Sequence, residues 1–225
     1  MKTLYFLGGL PRSGSTLLGS LLNQHPDIYV SPTSPLGDYN HIPKSTILDK
    51  HRFWGKNLDT VQMFLSNKPK IVATYRSIPE VLTSYISLIE RTKHEENFID
   101  NHLRKDNLPI TNNNRAEYIW RYYVAPSYES MIYGLNKYPD WVHLVEYNSL
   151  VNNPEEELNK IYEFLEVPSH TNTFNDIENA CGEQKDEEWG LKGLHDIRPN
   201  LAKISQNPID VIGEENVKLY SKFDI

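Results

Sequence analysis

Cysteine is nearly absent. Cys181 is the only one in 225 residues, so the chain can form no internal disulfide and offers little to redox chemistry. A positive balance is also lacking: 23 Lys and Arg face 30 Asp and Glu, a formal net charge of -7. That argues against a general nucleic-acid binder, because neutralising the phosphates of a duplex takes a basic face. An anionic ligand must instead meet a local positive pocket. Long apolar runs are missing as well. The first, Leu4 to Leu10, is too short for a membrane span or a secretory core, and Pro11, Arg12 and Ser13 follow it directly. Neither paired cysteines nor an HExxH pattern marks a metal site. These absences lead us to expect a cytoplasmic protein with no membrane span, no nucleic-acid partner and no bound metal.

What is present suits a folded core. Hydrophobic residues make up 39% of the chain and aromatic ones 11%, enough for one α/β domain with elaborations. Lys2 to Gly8 reads as a short buried strand, followed by a Gly/Pro/Ser turn and a helix over Thr16 to Leu22. The proline-rich stretch from His25 to Asn57 reads as a long, partly irregular connection that offers room for acceptor contacts. Leu58 to Leu65 then reads as helix, Lys70 to Tyr75 as a buried strand, and Ile78 to about Glu90 as a long helix. Residues 107–114 form an expected loop before an aromatic-rich helix, Arg115 to Lys137, interrupted near Pro126. Trp141 to Glu146 supplies a third strand. Pro154 to Leu165 carries the clearest helix signal: proline at the start, acids in the first turn and apolar residues at helical spacing. From Ser169 to Ile225 the pattern is weak, broken by Gly182, Gly190, Gly193 and Gly213, as for a flap. Strands alternating with helices imply a mostly parallel sheet covered on both faces, with ligand outside the carboxyl ends of the strands.

One of those ends stands out. Gly9-Leu-Pro-Arg-Ser-Gly14-Ser15-Thr16 lies between a strand and a helix, where backbone N–H groups and a helix N-terminus bind phosphate. The glycines fit the GxxxxG of a Walker A loop, but Ser15 stands where its lysine belongs and the loop carries Arg12 instead. An ordinary ATPase or kinase is thereby disfavoured. The plain alternative is a serine-capped helix start with a solvated arginine.

The segment GLPRSGSTLLGSLLNQHPDIY resembles the phosphate loop of sulfotransferases, especially the tyrosylprotein and carbohydrate branch, in which PRSGTT precedes a helix and HP. The resemblance implies a P-loop NTPase-like three-layer fold. It also implies a donor, 3'-phosphoadenosine 5'-phosphosulfate, whose product is 3'-phosphoadenosine 5'-phosphate. Pro11, Arg12, Ser13, Gly14, Ser15 and Thr16 would surround the 5'-phosphosulfate, with Arg12 also near the transferring group. A second match follows the strand KIVATY: Arg76 and, eight residues on, Ser84 reproduce the pair that binds the 3'-phosphate in this family. Lys50 lies 26 positions before Arg76, where the tyrosylprotein branch places a catalytic lysine. HLVEYNSLVNNPEEEL resembles the segment whose tyrosine lies beside the nucleotide, which implies an adenine-stacking role for Tyr147. Lys192-Gly193, in GLKGLHDIRP, resembles the basic-glycine element that covers the 3'-phosphate late in cytosolic sulfotransferases; Arg198 is an alternative for the same phosphate, and an ordinary basic turn explains all three equally well.

The general base departs from the pattern. Where the tyrosylprotein branch has a glutamate, 21 residues after the loop arginine, this chain has Thr33. In the cytosolic branch a histidine follows the lysine by two positions; here His51 follows Lys50 by one and Arg52 holds the matching place. His51 is the first choice for the base, with Asp49, Asp38 and His41 as alternatives. The resemblance covers residues 3 to 168, so the expectation is one sulfotransferase domain over 1–225: a nucleotide-binding framework over 1–168 and a C-terminal flap over 169–225. Small-molecule, carbohydrate and peptide acceptors stay open, and so does the oligomeric state. The competing readings are a P-loop small-molecule kinase and a catalytically silent nucleotide-binding module.

Overall fold

The computed structural model describes residues 2–31, 37–92, 96–180, 186–202 and 206–225. They form two compact units. The first comprises 1–75, 127–182 and 197–203; the second comprises 76–126, 183–196 and 204–225.

The first unit is built on five parallel strands: β1 (Thr3–Gly9), β2 (Ile28–Ser31), β3 (Thr46–Lys50), β4 (Ile71–Tyr75) and β5 (Val142–Glu146), in the order β2-β3-β1-β4-β5. Parallel strands covered on both faces read as continuous apolar runs, and β1 does so. Its alternate residues face opposite ways: Tyr5 and Leu7 join the core made with α1 (Ser15–Asn23) and α8 (Pro154–Leu165), while Phe6 packs on Trp54 at the start of α2 (Trp54–Val61), ring centroids 4.2 Å apart. Leu18, Leu21, Leu22, Leu158, Ile161 and Leu165 complete the first of these layers at near-zero exposure. On the other face α2 lies against α6 (Ala125–Lys137), where the Lys56 N–H donates to Ser130 Oγ at 3.0 Å. Helix, sheet and helix thus make the expected three-layer α/β architecture. α7 (Tyr147–Asn152) links β5 to α8.

The long connection expected over 25–57 is corrected: it contains β2, β3 and the start of α2. The helix expected over 58–65 is displaced accordingly, ending at Val61.

The second unit is helical: α3 (Ile78–Arg91), α4 (Phe98–Lys105), α5 (Asn112–Ile119) and α9 (Pro208–Tyr220), with α9 against α3 and α5. Thr111 caps α5 by accepting from Asn114 N at 3.2 Å, so the three asparagines open the helix instead of ending a loop. Between α5 and α6 the chain takes a π-helical turn over Trp120–Val124, just before Pro126. A proline has no N–H to give the preceding turn, and the wider ladder absorbs the mismatch. α4 and α9 were not expected. The tail is divided: residues 197–203 belong to the first unit, 186–196 and 206–225 to the second.

Candidate active site

The order of the strands sets the location. β1 and β4 are neighbours, yet the chain leaves β1 towards β2 and leaves β4 towards β5, so their carboxyl ends form the topological switch point of the sheet. The loop 9–14 lies there. Leu10 N–H donates to Thr74 O at 2.9 Å, tying the loop to the carboxyl end of β4. Ser13 is fully buried; its hydroxyl bonds Leu10 O and lies 2.6 Å from Thr74 Oγ1 and 3.1 Å from Thr74 O. The Ser13 side chain is therefore a staple turned into the protein.

Arg12 has φ 60° and Gly14 has φ 88°, both in the left-handed region that recurs in backbone nests able to receive an anion. Arg12 is not a glycine, so its conformation costs about 1–3 kcal/mol, a strain of the kind stored at functional sites. Gly14 is the N-cap of α1 and has no side chain to occupy the helix's first N–H groups. Ser15 and Thr16 open the helix, half-buried, and Pro11 lies in the turn before Arg12.

Two further sequence-predicted residues meet this loop within the first unit. Lys50 ends β3, in register with Leu7 of β1, and its Nζ donates to Thr16 Oγ1 at 3.1 Å. Tyr147, the first residue of α7, lays its ring against Gly14: a Cβ built there would meet ring carbon Cδ2 at 2.7 Å. Glu146 caps α7, accepting from Ser149 N at 2.6 Å and fixing the direction in which Tyr147 leaves the sheet.

The candidate bases differ in setting. His51 continues the sheet ladder through its N–H to Leu7 O at 2.9 Å, and its Nδ1 accepts from Phe53 N at 3.3 Å. Burial, then the Arg52 cation, hold its pKa below the ordinary histidine value of 6.5, against the pull of Asp49. Asp49 is 0% exposed and accepts from the Tyr39 hydroxyl at 2.5 Å. Burial and this bond push Tyr39 up to about 12. Asp38 lies on an exposed turn, accepting from Asn40 N at 3.0 Å, and His41 is exposed beside it. Thr33 lies outside the described residues.

Arg76 and Ser84 belong to the second unit, just before α3 and on its second turn. Arg76 is 5% exposed and its Nε donates to Glu80 Oε2 at 3.1 Å, while Glu80 and Ser84, four residues apart, share one side of α3. Lys192 and Gly193 are also in the second unit, whereas Arg198 is in the first, exposed, with Nη1 3.4 Å from Ala202 O. Sequence reasoning missed Thr74, Tyr39, Trp54 and Glu80. The i,i+4 spacing from Arg76 was the signal for Glu80; Trp54, whose Nε1 donates to Asp49 O at 2.9 Å, carried none.

A three-layer parallel α/β unit with a strand-to-helix loop at its switch point is the architecture of a P-loop-like fold. The family model described as a sulfotransferase domain matches residues 2–197, so the chain belongs to the sulfotransferase family, whose reaction is sulfuryl transfer. Among solved structures it is similar to a sulfotransferase from Alicyclobacillus acidocaldarius (TM-score 0.52, 14% identity, covering 83% of this chain and 88% of that one). It is similar to the sulfotransferase domain of the curacin biosynthetic pathway (0.54, 17%, 100% and 92%) and to mouse sulfotransferase SULT7A1 complexed with PAP (0.51, 18%, 86% and 65%). At these identities the likeness is one of fold. No curated protein matches the sequence. Among the described residues, no helix is long and apolar enough to cross a membrane.

Proposed function

We propose that the chain transfers a sulfuryl group from 3'-phosphoadenosine 5'-phosphosulfate to a hydroxyl or amine acceptor, in the cytoplasm and without a metal, its two units acting as one sulfotransferase domain. The observation that carries this reading is the bond from Lys50 Nζ to Thr16 in the phosphate loop. It joins two motifs 34 residues apart that the family resemblance assigns to one reaction.

The acceptor oxygen or nitrogen attacks sulfur while the bond from sulfur to the bridging oxygen of the 5'-phosphate breaks; 3'-phosphoadenosine 5'-phosphate leaves and the acceptor's proton passes to the base. Negative charge grows on the bridging oxygen, so Arg12, Lys50 and the N–H groups of residues 13–16 act by fixed electrostatic stabilisation. Tyr147, packed on Gly14, offers its ring to the adenine. Arg76 and Ser84, with Lys192 and Gly193, take the 3'-phosphate. The loop sequence favours kinship with the tyrosylprotein and carbohydrate branch, and a carbohydrate, peptide or small-molecule acceptor.

His51 is the base in this scheme. A base must be neutral to accept a proton, and a pKa held below 6.5 keeps His51 neutral at pH 7. The kcat/KM profile is expected to fall on the acid side with an apparent pKa below 6.5, and His51→Ala is expected to lose both most of the rate and that limb. An unchanged limb in the variant assigns the base elsewhere.

Thermal midpoints test the donor. Excess 3'-phosphoadenosine 5'-phosphate at ~100 times its Kd is expected to add about 2.7 kcal/mol of stability, lost in Arg76→Ala, with a much smaller effect from ADP or from ATP and magnesium. Stabilisation by ATP and magnesium alone would support the kinase reading. A response without transfer activity would leave a silent binding module.

A further inference from the structure

Residues 186–196 form a compact turn in the second unit, and its construction is specific. Both its floor and its closing contact are fixed. Gly190 has φ +63°, and a Cβ there would lie 2.0 Å from Glu96 O, so the turn rests on the backbone of residues 96 and 97. Leu191 beside it is fully buried, and its N–H donates to Asp186 O at 3.1 Å. Trp189 meets Phe98 edge-on, ring centroids 5.5 Å apart.

The two ends are then clasped. Asp186, 7% exposed, uses both carboxylate oxygens on one residue: Oδ2 accepts from His195 N–H at 2.8 Å, and Oδ1 lies 2.5 Å from His195 Nδ1. With the floor anchored at 190–191 and the return anchored at 195, the backbone of Lys192, Gly193 and Leu194 is held at both sides. Lys192 Nζ lies 3.3 Å from Glu187, an exposed pair that an incoming phosphate can replace. A compact turn closed by its own side chains presents its tip with little conformational freedom left to lose on binding.

We infer that Asp186 and His195 are positioning residues that set the Lys192–Gly193 tip for the 3'-phosphate, and so determine the preference for a 3'-phosphorylated nucleotide. This rests on the assignment of that phosphate to Arg76, Ser84, Lys192 and Gly193 above. His195 has the donor that matters at Nδ1, a position an asparagine amide reproduces and an alanine does not.

The test compares two ligands that differ by one group, 3'-phosphoadenosine 5'-phosphate and adenosine 5'-phosphate, titrated calorimetrically into the full chain. In His195→Ala the Kd for the bisphosphate is expected to rise about tenfold while that for the monophosphate changes by less than about twofold. Asp186→Asn should lose a similar factor, and His195→Asn should recover to within about threefold of wild type. Lys192→Ala should cost the bisphosphate the same factor, with no further loss when combined with His195→Ala. Equal weakening of both ligands, or full bisphosphate affinity in His195→Ala at an unchanged thermal midpoint, overturns the inference. The wild-type chain tests the underlying assignment separately: no preference for the bisphosphate, or a preference that survives Arg76→Ala, removes the 3'-phosphate site itself and the positioning role with it.

Discussion

Lys50→Met is expected to slow sulfuryl transfer by about 10²–10³-fold, the usual cost of removing one fixed donor from a charge-developing centre. Methionine keeps most of the apolar stem and removes the ammonium, so the loss reports charge more than packing. The position is well defined by the fold. Lys50 is the last residue of a strand between β1 and β2, paired with Leu7, and the next residue continues the ladder through His51 N–H to Leu7 O. The Asp49 carbonyl just before it is held by Trp54 Nε1. A side chain emerging from such a segment has its base fixed and its tip tied to Thr16. Single-turnover transfer from labelled donor, with Kd for 3'-phosphoadenosine 5'-phosphate measured beside it, separates two roles. If Lys50 acts on the breaking bond, the rate falls far more than affinity. A loss of affinity as large as the loss of rate would make it a ground-state phosphate ligand.

Which elements were legible depended on how strongly local chemistry agreed with the final packing. α8 matches its expected limits, Pro154–Leu165, because proline, first-turn acids and the apolar stripe all point the same way. α3 and β1 fall within a residue or so for similar reasons. β2 has only four residues, closely bracketed by Pro26 and Pro32, and β3 carries Asp49 and Lys50 in an interior strand, so neither shows a clean apolar run. The polar end that hid β3 is the part that bears the candidate chemistry. α4 buries little more than Ile99 and Leu103 on a charged helix, and α9 holds Gly213 at φ 79° and ψ 157°, which breaks its pattern where the structure kinks. For the candidate site, motif spacing and family resemblance pointed to the loop, Lys50, Arg76 and Tyr147, and the structure brings Lys50 and Tyr147 against the loop. Partners such as Thr74, 61 residues from Ser13, and Tyr39, on a connection read as irregular, depend on strand order and on side-chain direction, which spacing along the chain does not encode.

The contact between Ser13 and Thr74 also leads to a large expected stability effect, at Gly9. This residue ends β1 with φ +116°, and a Cβ there would fall 2.2 Å from Thr74 O and 2.4 Å from Thr74 N. Those are backbone atoms of the neighbouring strand, so no rotamer change relieves the overlap. Gly9→Ala must either part β1 from β4 or flip the peptide into the loop, and each route disturbs the bonds that Leu10 and Ser13 make to Thr74. Overpacking against backbone together with a left-handed φ places the loss at about 3 kcal/mol. For a chain of this size that is a fall of roughly 6–12 °C in thermal midpoint. The same displacement reaches Arg12 and Gly14, so the stabilisation by 3'-phosphoadenosine 5'-phosphate is expected to shrink in parallel when midpoints are measured with and without the ligand. A variant that loses the midpoint but keeps the full ligand-induced rise would show that the loop holds its shape independently of the strand end it grows from.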